Sequence, residues 1–381
     1  MMKNGRCKVV LVGLGFGGAF APIWKDHPAV TSFGICDLDR GLAEKVAKLY
    51  GIESVYDSFE DVLADPEVDA VHLVTTIPDH AAQTVRVLRA GKHCACTVPM
   101  ATSLEDVQAI LDAERESGKH FMMMETTLYT YQFRYVQKML RSGEMGRIQF
   151  LRGSHYQDME NWPAYWKGLP PFWYGTHAVA PLAALAGAPI TRVSCLGSGT
   201  MREELRAGYG NPYPIETAHF VFANGLAAEA TRSLFETART YQEGLFVYGS
   251  KKSFEWGFGD GDPPYVTSLL QSDGRPRGLP TPVEVIDSLP NDCEELPEAL
   301  RPYTVGGNYD PTNPQLSLKK GAGGGHHGSH PYLVDAFARC ITQDTKPAIG
   351  SGFAANVSAA ILLAHESALR GGEWLDVPSF A

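Results

Sequence analysis

Short apolar runs alternate with longer amphipathic stretches through the N-terminal third of the chain. Runs of this kind predict strands, and apolar residues that recur every three or four positions predict helices. Ser103 with Asp106 forms a capping-box-like helix start that Gly118 ends, and Ser58 with Asp61 opens another helix in the same way. The expected strands are Val9–Val12, Ser32–Cys36, Ala70–Val74, His93–Cys96 and His120–Met124. This alternation predicts an α/β domain with a parallel sheet covered on both faces.

The rest of the chain has longer β-rich runs and fewer helical periods. Asn224-Gly225 between two of these runs is a strong signal for a hairpin turn. Residues 258–330 are rich in proline and glycine and predict a long loop or lid, after which Ala354–Leu369 returns to helix. The expected strands are Ile148–Tyr156, Ile190–Gly197, Ala218–Ala223, Ala227–Phe235 and Glu243–Phe254. We therefore expect an N-terminal α/β domain over 1–125 and a C-terminal α+β domain over 126–381 with an open, mostly antiparallel sheet.

Composition narrows the class of partner. Of the 381 residues, 33 are Lys or Arg and 43 are Asp or Glu, which gives a formal net charge of −10. This balance argues against non-specific binding of nucleic acid or of an anionic membrane, and a small molecule is the expected partner. The seven cysteines are odd in number and scattered, which predicts buried free thiols in a reducing compartment. Val9–Val12 is too short for a signal-peptide core, so we expect a cytoplasmic protein.

A glycine string directly follows the first expected strand and opens a helix. Its fingerprint positions are Gly13, Gly15, Phe16 and Gly18. In a G-x-G-x-x-G string the glycines permit a tight turn, a close approach of the backbone to a pyrophosphate, and close packing of helix on strand. Asp37 lies 19 residues after the last glycine, where a carboxylate accepts hydrogen bonds from the adenosine ribose. We therefore expect a Rossmann domain that binds NAD; NADP stays open, because Arg40 is placed to meet a 2′-phosphate.

Five short motifs follow one another along the chain. They are Gly13–Gly18, Asp37–Arg40, Thr75–His80, Thr97–Pro99 and Gly143–Ile148. Together they resemble the Gfo/Idh/MocA (glucose–fructose oxidoreductase / inositol dehydrogenase) family over nearly the whole chain. The resemblance implies a Rossmann domain, an open antiparallel C-terminal sheet and a sugar-like substrate beside the nicotinamide. It also implies that strand-end residues contact the cofactor, namely Thr75, Thr76, Pro78, His80, Thr97 and Pro99.

Two positions depart from the pattern of ordinary dehydrogenases in that family. Those enzymes carry Glu-Lys-Pro where this chain has Thr97–Pro99, so the inert Val98 stands at the position of the catalytic lysine. They also carry Asp-x-Gly-x-His where this chain reads Trp173-Tyr174-Gly175-Thr176-His177, so the histidine is kept and the aspartate is not. A simple lysine-assisted alcohol dehydrogenase is therefore not expected.

The second departure is similar to the Tyr-x-x-His signature of the family's NAD-dependent glycosidases, which include α-N-acetylgalactosaminidases. That branch also lacks the lysine, and it has a Met-rich strand that ends in Glu and is followed by Tyr, matched here by Met122–Glu125 and Tyr129. The resemblance implies that NAD⁺ oxidises carbon 3 of a glycoside, which acidifies the carbon 2 proton so that the aglycone leaves by elimination. Water then adds, and NADH reduces the ketone. The implied catalytic residues are His177, Tyr174 and Glu125, with Tyr129 at the substrate.

Side-chain chemistry supports these candidates and adds others. Imidazole and phenol transfer protons, and their spacing lets Tyr174 and His177 share one face of a helical turn; plain packing at a helix start is the alternative. A histidine and several aromatic residues near the first strand of the second domain suit sugar hydroxyls and pyranose faces, although aromatic residues are also ordinary core material. These substrate candidates are His155, Tyr156, Trp162, Trp166 and Trp173.

His326 and His330 lie in a glycine-flanked run, four residues apart. This spacing also occurs in zinc ligands on a helix. No fourth ligand is near in sequence and hydride chemistry needs no metal, so we expect a loop that closes over the substrate and no metal site.

Three functional hypotheses follow. The first is an NAD-dependent enzyme that acts on a sugar or glycoside at ring carbon 3, as a redox-assisted glycosidase or lyase with recycled NAD. The second is a net NAD-dependent sugar or cyclitol dehydrogenase with His177 as base. The third is a non-catalytic NAD-binding sensor. An open antiparallel sheet also predicts a homo-oligomer, a dimer or tetramer that covers the free face.

Overall fold

The computed structural model describes residues 6–206, 208–259, 261–270, 281–305 and 325–380. The chain divides into two compact units. The first consists of Met1–Thr130, Asn291–Ala355 and Phe380–Ala381, and the second of Tyr131–Pro290 and Asn356–Ser379. The expectation that everything after residue 125 forms one C-terminal domain is therefore wrong for 291–355, because a helix in this segment packs against the N-terminal unit through contacts such as that of Phe337 with Trp24.

The first unit contains a six-stranded sheet in the order β3-β2-β1-β4-β5-β6. All its paired strands run parallel, which confirms the expected sheet. Its strands are β1 Cys7–Val12, β2 Val30–Cys36, β3 Ser54–Tyr56, β4 Ala70–Leu73, β5 His93–Cys96 and β6 Phe121–Met123. β3 was not predicted, because three half-buried residues are too short to show a period.

Helices join these strands, and their ends follow the sequence signals. Ser103 Oγ accepts from the backbone N of Asp106 at 3.0 Å, and Gly118 ends the helix in the left-handed region with φ 63°. Ser58 Oγ accepts from Asp61 N at 3.1 Å in the same way. The helices of the first unit are α1 Ala21–Asp26, α2 Arg40–Tyr50, α3 Phe59–Ala64, α4 His80–Arg89, α5 Leu104–Ser117 and, from the later segment, α9 His330–Gln343.

The second unit contains a nine-stranded sheet in the order β14-β13-β12-β11-β7-β10-β9-β8-β15. Its neighbouring strands pair antiparallel except β7 with β10, which confirms a mostly antiparallel sheet. The strands are β7 Ile148–Tyr156, β8 Ile190–Ser198, β9 Ile215–Phe222, β10 Ala227–Ser233, β11 Gln242–Gly249, β12 Lys252–Glu255, β13 Tyr265–Ser268, β14 Val283–Val285 and β15 Leu375–Asp376. The Asn224-Gly225 turn joins β9 to β10 with Gly225 at φ 83°, as its sequence predicts.

Two expectations about this region are corrected. The run Glu243–Phe254 is split between β11 and β12, because the chain turns at Gly249, where a Cβ would lie 2.3 Å from the carbonyl oxygen of Met145. Residues 258–330 are not one loop, because β13 and β14 extend the sheet and Glu298–Thr304 forms a 3-10 helix. Residues 271–280 and 306–324 of that prediction lie outside the described part of the chain.

One close contact in the second unit fixes a helix against the end of a strand. The helices of this unit are α6 Tyr131–Arg141, α7 Thr176–Ala186, α8 Glu203–Arg206 and α10 Ser351–Leu369, whose first residues belong to the first unit. Gly153 of β7 lets α7 approach so closely that a Cβ would lie 2.1 Å from the carbonyl oxygen of Ala178. As a result, the beginning of α7 lies beside the final residues of β7.

Two further observations concern the chain as a whole. All seven cysteines are free, and only Cys293 among them is not buried, which agrees with the expectation of free thiols. Within the described ranges, no helix combines the length and the hydropathy that crossing a bilayer requires.

Candidate functional site

The glycine loop after β1 is tied to the sheet on one side and open on the other. Gly13 has φ +90°, and a Cβ there would lie 2.3 Å from the carbonyl oxygen of Val74, so the position excludes any side chain. A Cβ at Gly17 would contact the Val74 side chain at 3.1 Å. A Cβ at Gly15 would meet nothing within 4 Å, and Gly15 and Phe16 are exposed. The loop therefore presents bare backbone where a pyrophosphate is expected to bind.

Asp37 holds this loop from the end of β2. Its Oδ2 accepts from Leu14 N at 2.6 Å, and its Oδ1 accepts from Asp39 N at 2.7 Å. Arg40 is paired with two carboxylates, Glu44 at 3.1 Å and Asp57. A 2′-phosphate would have to compete with both carboxylates for Arg40, so these residues fit NAD better than NADP.

The cofactor candidates at the ends of β4 and β5 are linked by His80. Its Nδ1 lies 2.7 Å from the carbonyl oxygen of Pro99, and its Nε2 lies 3.1 Å from that of Thr75 and 3.5 Å from Thr97 Oγ1. Burial lowers the pKa of His80. The buried His80 ring therefore links the end of β4 to the end of β5. The remaining candidates are Thr76, which donates to Asp79, and Pro78, which is exposed.

Four side chains form what we call the glycine-loop cluster: Phe16, Phe20, His326 and His330. His330, the first residue of α9, stacks on Phe20 with ring centroids 4.2 Å apart. Phe16 meets both imidazoles edge-on at 5.7 Å. The two histidines were predicted to bind substrate, and the structure places them beside the cofactor loop of the first unit. In the described part of the chain, no group of three or more potential ligands is arranged to hold a metal ion.

Glu125 and Tyr129 lie at the two ends of the 3-10 turn after β6. The Glu125 carboxylate is fully buried, and its Oε1 caps the turn by accepting from Thr127 N at 3.0 Å and from Thr127 Oγ1 at 2.8 Å. Tyr129 stacks on Tyr332 with centroids 6.1 Å apart. Burial raises the pKa of Tyr129 to about 12. The Tyr129 phenol is therefore protonated at neutral pH. The catalytic role of Glu125 stays a prediction.

A second group of side chains forms what we call the strand-end cluster: His155, Trp166, Tyr174, His177 and Tyr241. Tyr174 ends a 3-10 helix over Pro171–Tyr174, and His177 is the second residue of α7. Tyr174 Oη lies 3.2 Å from His177 Nε2, within hydrogen-bond reach. The spacing in the sequence thus brings the phenol and the imidazole together as expected, and a single proton can pass between them.

The remaining rings of the cluster surround this pair. Trp166 lies edge-on to Tyr174 at 4.7 Å between centroids. His155, at the end of β7, lies 5.1 Å from His177 and 5.5 Å from Tyr241. His155, Trp166 and His177 are buried, so most of the cluster is shielded from solvent.

Three substrate candidates lie outside the cluster or at its margin. Trp173 packs against Tyr209 at 5.8 Å and His365 at 6.1 Å instead. A 3-10 helix has three residues per turn, so neighbouring side chains such as Trp173 and Tyr174 point about 120° apart. Tyr156 packs under the Arg239 guanidinium at 5.1 Å, and Trp162 is 51% exposed and 5.9 Å from Trp166.

Two family models match the chain in succession. The model described as the oxidoreductase family with an NAD-binding Rossmann fold covers residues 7–125, and the GFO/IDH/MocA C-terminal domain covers 133–255. The chain belongs to the Gfo/Idh/MocA family. Its first unit is thus the NAD-binding Rossmann domain of a Gfo/Idh/MocA protein, and its second unit carries the family's C-terminal sheet.

The proteins to which this chain is similar include a glycosyl hydrolase family 109 protein and an inositol 2-dehydrogenase. A glycosyl hydrolase family 109 protein of Phocaeicola vulgatus is 27% identical over 202 residues, which are 48% of this chain and 43% of that protein. Inositol 2-dehydrogenase of Salmonella typhimurium is 29% identical over 154 residues, 39% of this chain and 46% of the enzyme. The matched region therefore spans less than half the length of these curated relatives.

Solved structures share the architecture over nearly the full length. Levoglucosan dehydrogenase in complex with NADH and levoglucosan superposes with a TM-score of 0.77 and 19% identity, and the match covers 98% of this chain and 100% of that one. At this identity the likeness establishes the Gfo/Idh/MocA fold and nothing finer.

No local sequence pattern pointed to Tyr241 of the strand-end cluster, or to the charged residues Arg232 and Glu243 beside it, in this Gfo/Idh/MocA protein. Tyr241 donates to the buried Glu243 carboxylate at 2.5 Å. Arg232 is fully buried, with its guanidinium 5.3 Å from the Tyr174 ring centroid. Glu243 pairs with His155 in the register of β11 and β7. Arg232 pairs with His155 in the register of β10 and β7. These two registers, which no local pattern reveals, bring Arg232 and Glu243 to the cluster.

Proposed function

We propose that this protein is an NAD-dependent enzyme that acts on a sugar or glycoside by hydride abstraction at ring carbon 3. We propose further that it is a redox-assisted glycosidase or lyase with recycled cofactor. The observation that carries the proposal is the 3.2 Å contact between Tyr174 Oη and His177 Nε2. It supplies a proton-transfer pair in a chain that has Val98 where ordinary members of the family have lysine.

The proposed cycle moves two protons, and this pair suits both movements. When bound, NAD⁺ takes up a hydride and later returns it. Removal of a hydride from the alcohol carbon requires a base for the hydroxyl proton, a role we assign to His177. Elimination then removes the carbon 2 proton and expels the aglycone from carbon 1, and water adds a proton at carbon 2 and a hydroxyl group at carbon 1. We assign Tyr174 to this second proton, because its phenol shares a hydrogen bond with the imidazole.

The surroundings of the pair suit a carbohydrate. Trp166 and Tyr241 supply aromatic faces, which pack well on pyranose rings. The similarity to a glycosyl hydrolase family 109 protein supports the glycosidase reading. The similarity to inositol 2-dehydrogenase favours a second candidate, a net sugar or cyclitol dehydrogenase that uses His177 as base.

One experiment separates the two candidates. The protein is purified without added cofactor, its nicotinamide content is measured after denaturation, and a panel of chromogenic glycosides is added while aglycone and NADH are followed in parallel. Aglycone release without net NADH, together with solvent deuterium at carbon 2 of the product, supports the glycosidase. NADH formed in proportion to product supports the dehydrogenase. Bound cofactor with neither product contradicts both.

We also propose that the enzyme works in the cytoplasm as a homo-oligomer. Free cysteines are typical of a reducing compartment. On one face of the second sheet, Arg152 of β7 and His219 of β9 are exposed and lie in one cross-strand row through Glu229, and a second subunit is expected to cover that face. Size-exclusion chromatography of the purified protein with light scattering tests this, and a monomer at micromolar concentration contradicts it.

A further inference from the structure

Two buried residues of opposite charge face each other across strands β9 and β10. Glu216 and Arg232 are partners in the antiparallel register, and both side chains are fully buried. Removing a charge from water is strongly unfavourable unless hydrogen bonds and opposite charges compensate. Their bonding partners therefore indicate what the protein gains from keeping them.

Both residues bind the backbone of the turn that carries Tyr174. Glu216 Oε2 accepts from Phe172 N at 3.0 Å, while its Oε1 pairs with His365 Nδ1 at 2.6 Å. Arg232 Nε donates to the carbonyl oxygen of Tyr174 at 2.8 Å. The turn is thus held at both ends by charged side chains of adjacent strands.

Arg232 also binds the end of β7. One terminal nitrogen donates to the carbonyl oxygens of His155 at 3.0 Å and Ser233 at 2.6 Å, and the other donates to Gln157 Oε1 at 3.1 Å. A single guanidinium therefore fixes the backbone of two members of the strand-end cluster, Tyr174 and His155. The planar fork of arginine suits such a divided role, and lysine lacks it.

We propose that Arg232 is a positioning residue for the Tyr174–His177 pair, which fixes the backbone of Tyr174 and, through its charge, favours the ionised form of the Tyr174 phenol. This inference deepens the proposed function and rests on it for its catalytic meaning. The claim about ionisation stands on the geometry of the second unit alone.

The positive charge of Arg232 affects the Tyr174 phenol because it lies close to the Tyr174 ring and is shielded from water. The guanidinium carbon lies 5.3 Å from the centroid of the Tyr174 ring. Burial lowers the pKa of Arg232 to about 10, so it still carries its charge at neutral pH. The two charges attract each other, since the ionised Tyr174 phenol raises the pKa of Arg232, and a cation close to an acid favours its ionised form, typically by about 1–3 pH units when the charges lie within roughly 4–6 Å. The effect helps a phenol that must be ionised in order to take up the carbon 2 proton in the proposed cycle.

Glu216 provides a matched control. Glu216→Gln removes a buried charge that binds the same turn and weakens the hydrogen bond to Phe172 N, but it removes no cation. Glu216→Gln is therefore expected to loosen only the backbone of the turn that carries Tyr174. Arg232→Gln is expected to loosen this backbone and also to remove the positive charge near the phenol. Arg232→Lys keeps the charge and loses the fork.

The test reads the phenol directly. Tyr174 is replaced by 3,5-difluorotyrosine, whose phenol ionises at lower pH than that of tyrosine, and its fluorine NMR signal is titrated in the full chain with bound NAD. In Arg232→Gln the titration midpoint is expected to rise by about 1–3 pH units. Neither Arg232→Lys nor Glu216→Gln is expected to raise it by as much as half of that amount. An unchanged midpoint in Arg232→Gln overturns the proposal.

Two further measurements keep the test decisive. If circular dichroism shows that Arg232→Gln does not fold, Arg232→Lys decides the positioning claim. Its kcat is expected to fall by about tenfold or more with KM little changed, because the backbone of Tyr174 is less well held, and an unchanged kcat overturns that claim. The fluorine titration needs no substrate, so a protein without the proposed activity can still show the shift, and failure of one proposal is distinguishable from failure of the other.

Discussion

The two histidine–aromatic clusters differ in what surrounds their imidazoles. In the glycine-loop cluster, His330 stacks on Phe20, meets the edge of Phe16 and lies 5.7 Å from the ring of His326. In the strand-end cluster, His177 shares a hydrogen bond with the Tyr174 phenol. We therefore expect His330 to act in packing beside the glycine loop and His177 to act in proton transfer, because a phenol is within hydrogen-bond reach of His177.

Charge separates the two regions further. Beside the strand-end cluster lie the buried Arg232 guanidinium and the Glu243 carboxylate that accepts from Tyr241. In the first unit, the buried His72 Nδ1 accepts from Trp24 Nε1 at 3.0 Å, and burial lowers its pKa to about 3. Perturbed groups beside opposite charges are typical of active sites, whereas a histidine shifted by burial alone is typical of a core.

The largest effect is expected from removing the imidazole of the strand-end cluster. His177→Ala should lower kcat by about 10²- to 10⁴-fold, because it removes a general acid–base group. The affinity for NAD, measured by titration calorimetry, should stay within about threefold, because the glycine loop belongs to the other unit.

Trp173→Phe is the matched control for that variant. Trp173 is the residue before Tyr174 and lies four positions before His177, yet it packs on Tyr209 and His365. Its kcat should therefore stay within about threefold of wild type, as for substitutions away from reacting groups. An active His177→Ala enzyme removes His177 from the mechanism and leaves the two clusters without a functional difference.

A smaller loss is expected from Tyr174→Phe. The ring contact with Trp166 is kept, and only the hydroxyl that reaches His177 is removed. We expect kcat to fall by about 10²-fold, with little change in thermal stability. If the two residues act as a pair, the double variant Tyr174→Phe/His177→Ala should be little worse than His177→Ala alone. Full additivity of the two losses contradicts a shared proton.

The glycine-loop cluster should respond in the opposite way. His330→Ala removes the stack on Phe20 and the edge contact with Phe16, and aromatic pairs contribute about 0.5–1.5 kcal/mol each. The Kd for NAD should therefore rise by about tenfold, while kcat at saturating NAD changes by less than threefold. A large loss of kcat at saturating NAD contradicts a role of His330 beside the cofactor loop and supports the predicted role in substrate binding.

A control for that variant is a residue that contacts the same helix, α9, at another position. His27 Nε2 lies 3.2 Å from Asp335 Oδ1 of α9, away from the glycine loop. His27→Gln should loosen the attachment of α9 and lower the melting temperature, with the Kd for NAD within about twofold of wild type. An equal loss of NAD affinity in both variants shows that attachment of the helix matters, and not the ring contacts.

The features that could be predicted from the sequence are those determined by residues close together in the chain. The Ser103 cap, the glycine loop at Gly13 and the Asn224-Gly225 turn arise from neighbouring residues, and all three are found in the structure. The contact between Tyr174 and His177 is local in the same sense, because the two residues are three positions apart.

The remaining features arise from pairing over long distances in the chain. Arg232 and Glu243 reach the strand-end cluster only through the register of β10 and β11 with β7. The packing of α9 on the first unit joins residues about three hundred positions apart, such as His27 and Asp335. A period of two or of 3.6 residues carries no information about such partners.

The smallest expected effect concerns stability in acid. The folded-state pKa of His72 is about 3, below the value of about 6.5 expected in the unfolded chain, so the unfolded state binds the proton first. The stability that this group contributes is complete above about pH 6.5 and is lost as the pH falls toward 3.

His72→Asn keeps an acceptor near Trp24 Nε1 and does not titrate in this range. Urea unfolding at a series of pH values should therefore show a shallower loss of stability below pH 6 in the variant, by on the order of 1 kcal/mol per pH unit. Parallel curves for the two proteins would show that acid unfolding starts elsewhere, for instance at His93, whose pKa burial lowers to about 4.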